Sequence, residues 1–115
     1  MKKIVAAFGA LALAGIMSAS GSAVAEETGV AQTLHQLQRV GGRTCLVDHY
    51  HDGSGSGPTR GAATAAAVSA WSGFTSWEYG SSWGRYGLAA KKSVSCSRSS
   101  GGWSCDVSAI PCRGW

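Results

Sequence analysis

Ser93-Val94-Ser95-Cys96-Ser97-Arg98-Ser99-Ser100-Gly101-Gly102-Trp103-Ser104-Cys105-Asp106-Val107-Ser108-Ala109 is the stretch that decides the fold. Two short strands, 93–97 and 103–109, flank a Ser/Gly turn. Val94 and Cys96 share one face of the first strand, and Trp103, Cys105, Val107 and Ala109 share one face of the second. A two-residue turn at Ser100-Gly101 pairs residues whose numbers add to 201, which sets Cys96 opposite Cys105. Counting outward from the turn makes that a non-hydrogen-bonded pair, with Cα atoms about 4.5 Å apart, within bridging reach. Cys112 lies up to roughly 23 Å beyond Cys105 along an extended chain. It meets Cys96 or Cys105 only if Pro111 turns the chain sharply back. The favoured pairing is therefore Cys96–Cys105 with Cys45–Cys112. Loop closure credits the first bridge with about 2.7 kcal/mol and the second with about 4.4 kcal/mol.

Upstream of the hairpin, Thr59 offers a helix N-cap and residues 62–78 carry the strongest helical pattern of the chain. Ala63, Ala67, Ala70, Trp71, Phe74 and Trp77 recur at three- and four-residue steps, and Gly80 follows as a natural stop. This stripe is expected to face the core, small alanines making room for large rings. Trp103 is expected to lie over its disulfide against the helix, with Trp83 and Tyr86 at the edge of the same core. Only Trp115 is expected to be free. Residues 81–92 read as a second short helix or turn, weakened by Gly84 and Gly87.

Residues 44–51, rich in β-formers, are a candidate third strand. Asp52-Gly53-Ser54-Gly55-Ser56-Gly57-Pro58 reads as a flexible connector without regular structure. Val30, Leu34 and Leu37 allow a short amphipathic helix within 26–43, a segment otherwise expected to be a loose, disordered arm. Val40-Gly41-Gly42 reads as a turn.

The beginning of the chain sets the compartment. Met1-Lys2-Lys3 is a basic start, residues 4–17 are almost wholly apolar, and small residues end in Ala23-Val24-Ala25 before Glu26-Glu27. That is the layout of a secretory leader with an A-x-A cleavage site, its apolar run too short to span a bilayer. Of 115 residues, removal of the first 25 leaves 90, enough for one small domain. Lys2 and Lys3 leave with the leader, so eight Lys/Arg remain against six Asp/Glu, a net charge of +2. That charge is too weak and scattered for a nucleic-acid footprint. A domain this small in an oxidising compartment gains from two disulfides. With 50, 8 and 6 residues between successive cysteines, no zinc knuckle is spelled out. The expected product is periplasmic or secreted, monomeric, and without a stable membrane span.

Candidate chemistry is confined to Asp48-His49-Tyr50-His51-Asp52. On a strand His49 and His51 point the same way, so they offer a divalent metal two imidazoles, with Asp52 or His35 as a third ligand. The plain alternative is a solvated strand end. Gly53-Ser54-Gly55-Ser56-Gly57 is not a G-x-S-x-G elbow, its centre being glycine, and it lacks the G-K-[ST] ending of a phosphate loop. No catalytic residues are assigned, and an enzyme is not expected. Five tryptophans raise ring-stacking recognition, with core packing as the default.

The Ala-rich run 62–70, Trp71, Phe74, Glu78-Tyr79-Gly80, Trp83, Tyr86, Ala90, Val94, Cys96, Trp103-Ser104-Cys105, Ala109 and Pro111-Cys112 together resemble a pattern of small exported proteobacterial proteins with no assigned activity. The resemblance covers about residues 62–113, including the W-x-C-x3-A-x-P-C ending. It implies placement outside the cytoplasm and brings no catalytic residues. The expected fold is α+β: residues 44–115 as one disulfide-stabilised domain, an Ala/Trp helix packed on a small antiparallel sheet. The expected role is non-catalytic binding of a cell-envelope component or protein. A metal-binding protein using His49 and His51, or a small secreted toxin or enzyme inhibitor, are the alternatives.

Overall fold

Thr59 caps the long helix as its sequence suggests: its side chain accepts a hydrogen bond from the Ala62 amide at 3.1 Å, and α2 runs Arg60–Tyr79. The computed structural model describes residues 26–115; the expected leader lies outside them. Before α2 come the short α1 (Val30–Leu34), β1 (Leu37–Val40), β2 (Arg43–Leu46) and β3 (His51–Gly57). After it come two single 3₁₀ turns, Ser81–Trp83 and Tyr86–Leu88, then β4 (Ala90–Ser99), β5 (Gly102–Ile110) and β6 (Cys112–Arg113). The class is α+β, but the strands form two antiparallel sheets instead of one, ordered β1-β2-β6 and β3-β5-β4.

The hairpin register is the one its turn dictates. Cys96 pairs with Cys105 and Ser99 with Gly102. Both expected disulfides form, each between directly paired strands, with Cα atoms 4.1 Å apart for Cys96–Cys105 and 4.0 Å for Cys45–Cys112. No cysteine is left free among the described residues, as suits an oxidising surrounding. No helix among the described residues is long and apolar enough to cross a membrane.

Two expectations are corrected in the strands. Residues 44–51 do not join the hairpin as one strand: Arg43–Leu46 belongs to the other sheet, between β1 and β6, and only His51 pairs with the hairpin. The hairpin's third strand is the supposed connector, His51–Gly57, paired from His51↔Ala109 to Gly57↔Trp103. The reason is steric. Gly53, Gly55 and Gly57 alternate onto one face, and α2 lies directly upon it. A Cβ at Gly53 would sit 2.6 Å from the Trp71 amide nitrogen, at Gly55 2.6 Å from Ala66 Cβ, and at Gly57 2.9 Å from Ala62 Cβ. Only glycine admits so close a backbone approach. The helix answers with Ala63 and Ala67, both wholly buried.

Residues 26–43 are built into the fold. Leu37–Val40 pairs with β2 through the tight turn at Gly41-Gly42. Further upstream, Glu26-Glu27-Thr28 closes the C-terminal end of α2. Thr28 donates from its amide to the Tyr79 carbonyl at 3.0 Å and from its hydroxyl to the Glu78 carbonyl at 2.7 Å. Those carbonyls have no partner within the helix. Gly80 makes room: its φ of 107° favours glycine, and a Cβ there would lie 2.6 Å from the Glu26 carbonyl carbon. Glu27 forms an ion pair with Arg113.

Each sheet has its own apolar cluster and its own bridge. Ala31, Leu46, Tyr79, Trp83 and Ile110 pack around Cys45–Cys112, whereas Ala63, Ala67, Trp71, Val107 and Ala109 pack around Cys105. Trp83 thus belongs to the other cluster from the one expected, while Tyr86 meets Trp71 edge-on at 5.4 Å. Trp103 is half-buried beneath Arg98. Truncating the fully buried Trp71 to alanine would cost about 3–5 kcal/mol.

Candidate binding site

Burial along α2 follows a four-residue step: Ala63, Ala67, Trp71, Thr75 and Tyr79. In the C-terminal half this puts Thr75 and Tyr79 inside and turns Phe74 and Trp77 out. The expected core stripe is therefore wrong at three positions: Trp77 is 74% exposed, Phe74 48%, and Ala70 faces solvent as well. Their rings lie nearly parallel, 23° apart with centroids at 6.4 Å, as the three-residue separation on one helix face allows. Tyr50, 45% exposed, comes from the loop before β3. Together with His49, His51, Asp52 and Glu78, Phe74 and Tyr50 line a cleft of about 410 Å³.

His51 forms the floor. It is 4% exposed, the first residue of β3, and its ring packs between Phe74 at 4.8 Å and Tyr79 at 4.9 Å. Nδ1 lies 2.9 Å from Thr75 Oγ1, and Nε2 lies 3.1 Å from the Tyr79 hydroxyl and 3.3 Å from Glu78 Oε2. The same Tyr79 hydroxyl lies 3.2 Å from His35 Nε2, and His35 Nδ1 faces the Val30 carbonyl at 3.5 Å.

This chain of contacts has one consistent direction. A carbonyl only accepts, so His35 carries its proton on Nδ1 and its Nε2 accepts from the Tyr79 hydroxyl. Tyr79 then accepts from His51 Nε2–H, and His51 Nδ1 accepts from the Thr75 hydroxyl. Glu78, an acceptor beside His51 Nε2, requires the same tautomer. Neutral His51 is thus satisfied at both nitrogens, and protonation would require the Thr75 hydroxyl to turn from donor to acceptor. Burial lowers its pKa to about 4, the electrostatic influence of the neighbouring His49 and His35 adding to the effect and Asp52 opposing it. Burial likewise pushes the Tyr79 hydroxyl upward, reinforced by the Glu78 carboxylate.

The histidines do gather. His49 lies 4.5 Å from His35 and 5.2 Å from His51, ring to ring. They are not arranged as the strand rule expects, because His49 precedes β3 and only His51 lies on it. Asp52 alternates to the opposite face and also lines a second cleft, with Ser93, Ser95, Asp106 and Ser108. Among the described residues no group of three or more His, Cys, Asp or Glu side chains is placed to hold a metal ion. Thr75, Glu78 and Tyr79 were not foreseen as partners of His51. The four-residue step from Ala63 and Ala67 is the signal that turns Thr75 and Tyr79 inward; Glu78 lies off it.

Trp115, expected to be free, has its ring against Arg113 at 5.2 Å, and its carbonyl accepts from the Thr44 hydroxyl at 2.6 Å. No family model matches the chain, and neither a curated protein nor a solved structure does so.

Proposed function

We propose that this chain is an exported, disulfide-stapled binding domain that engages a cell-envelope partner through the cleft lined by Tyr50, Phe74 and Glu78 and the exposed Trp77 ring beside it. One observation carries the reading: three large rings stand exposed on a well-supported scaffold, around a cleft with polar groups at its floor. Exposing Trp and Phe side by side costs solvation free energy, and clustered aromatic exposure marks interaction surfaces. The support is rigid, since α2 is fixed to β3 by direct backbone approach and to the N-terminal segment by its capped end.

Export rests on the leader-like start of the sequence and on the two disulfides. Action by binding rather than catalysis rests on His51. Both its nitrogens are spent on internal partners and its pKa stands well below neutrality, which suits a structural strut better than a proton-transfer group.

Capture from envelope extracts by immobilised wild-type protein, Trp77→Ala and a reduced, alkylated control tests the proposal. A component retained by the wild type and lost from both controls is the expected result. Equal retention by the wild type and Trp77→Ala would remove the cleft from the function.

A further inference from the structure

Resting on that binding role, we propose that the occupant of the cleft is a basic side chain, lysine or arginine, presented by an extended segment of a partner protein. The charge of the lining is one-sided. Asp52 and Glu78 supply carboxylates, Tyr50 and Phe74 supply π-faces with Trp77 stacked alongside, and no lysine or arginine lines the cleft. Glu78 also sits in the last turn of α2, where the helix dipole favours a cation. Cations over aromatic faces beside a carboxylate are held by both the ring quadrupole and the ion pair.

The fold already contains a filled version of this arrangement. Arg113 lies over the Trp83 ring at 5.3 Å and over the Trp115 ring at 5.2 Å, while its guanidinium pairs with Glu27. Two rings, one carboxylate and one guanidinium make up that set. The cleft sets the Tyr50 and Phe74 rings and the Glu78 carboxylate in comparable roles, with Trp77 stacked against Phe74 beside it. Five other basic groups among the described residues are engaged elsewhere: Arg39 on the Thr44 hydroxyl, Arg43 on the Leu88 carbonyl, Lys91 near Asp48, Lys92 over Tyr86 and Arg98 over Trp103. No basic side chain of the described residues reaches the cleft lining, which leaves the place to a partner's cation. Arginine fits the stacked rings better than lysine, because its planar guanidinium stacks and forks at once.

Titrating the intact domain with a hexa-arginine peptide, and with its neutral isostere hexa-citrulline, tests the inference by amide chemical shifts and tryptophan fluorescence. The expected result is arginine-dependent shifts at Phe74, Trp77 and Glu78, weakened by added salt and reduced at least about tenfold in Glu78→Gln and in Trp77→Ala. Hexa-citrulline should bind no better than background. Equal binding of both peptides, or arginine-induced shifts confined to other acidic residues such as Asp106, would overturn it. The peptide comparison uses wild-type protein, so it decides even if Glu78→Gln loosens the fold. Trp77-dependent capture of an envelope partner without hexa-arginine binding would end this inference and leave the binding role standing. Failure of both would end both.

Discussion

The two halves of α2 rest on the same strand by opposite means. Along residues 60–70 the helix offers Ala62, Ala63, Ala66 and Ala67 to Gly53, Gly55 and Gly57, backbone nearly against backbone. Nothing titrates in that contact and nothing is left for a ligand. Along residues 71–79 the strand beneath changes from glycine to His51, and the helix changes to Trp71, Phe74, Thr75, Glu78 and Tyr79. Polar groups are buried there and satisfied one by one, while the outward positions carry exposed rings. The smooth half fixes the geometry; the aromatic half uses it.

The largest expected effect comes from breaking the smooth half. Gly55→Val drives side-chain atoms into the α2 backbone, so the loss of stability in urea unfolding should be at least about 3 kcal/mol, a large share of what holds a domain of this size together. Retention of wild-type stability would mean that α2 does not sit on β3 as described.

Acid attacks the other half. His51 has its pKa lowered in the folded state to about 4 from an ordinary 6.5. Between those values the unfolded chain binds a proton that the folded chain refuses, so stability is full above about pH 6.5 and declines as pH falls towards 4. The decline should total about 3 kcal/mol, complete once both states are protonated. Denaturant midpoints measured across that window check it, and His51→Phe should flatten the slope. An unchanged slope in His51→Phe would assign the acid sensitivity elsewhere.

A smaller effect of opposite sign sharpens the contrast. Gly73 lies mid-helix in the aromatic half, with open space where its Cβ would go. Gly73→Ala should therefore raise stability by about 0.5–1 kcal/mol, readable as a higher melting temperature. The two glycine substitutions thus move in opposite directions for reasons visible in the packing.

The hairpin and its Cys96–Cys105 bridge are legible because they depend on local counting, and Cys45–Cys112 follows by elimination. A turn at Ser100-Gly101 fixes every pair along two strands, and Cys96 meets Cys105 with no knowledge of the rest. The helix was legible from its cap at Thr59 and its stop at Gly80. The strand His51–Gly57 was not, because glycine and serine carry little strand preference of their own. What makes it a strand is the helix lying on it, a contact distant in sequence. Its one local trace was glycine at every second position, matched by alanines four apart at 63 and 67. The cleft was lost for the same reason. Apolar spacing shows a wide stripe on the helix but not which part of it a neighbour covers, so it points Phe74 and Trp77 inward. The histidines were picked out by type and proximity. Their true relation, through Tyr79, needed the α1–β1 segment and the C-terminal half of α2 brought together.

Hydroxyl-radical footprinting of the intact domain, with and without envelope extract, tests the binding face most directly. Tyr50, Phe74 and Trp77 should lose reactivity on adding the extract, while exposed Val94 and Trp115, on other parts of the surface, keep theirs. Protection of Val94 or Trp115 with Phe74 and Trp77 unchanged would contradict the assignment of the aromatic half of α2 as the working surface.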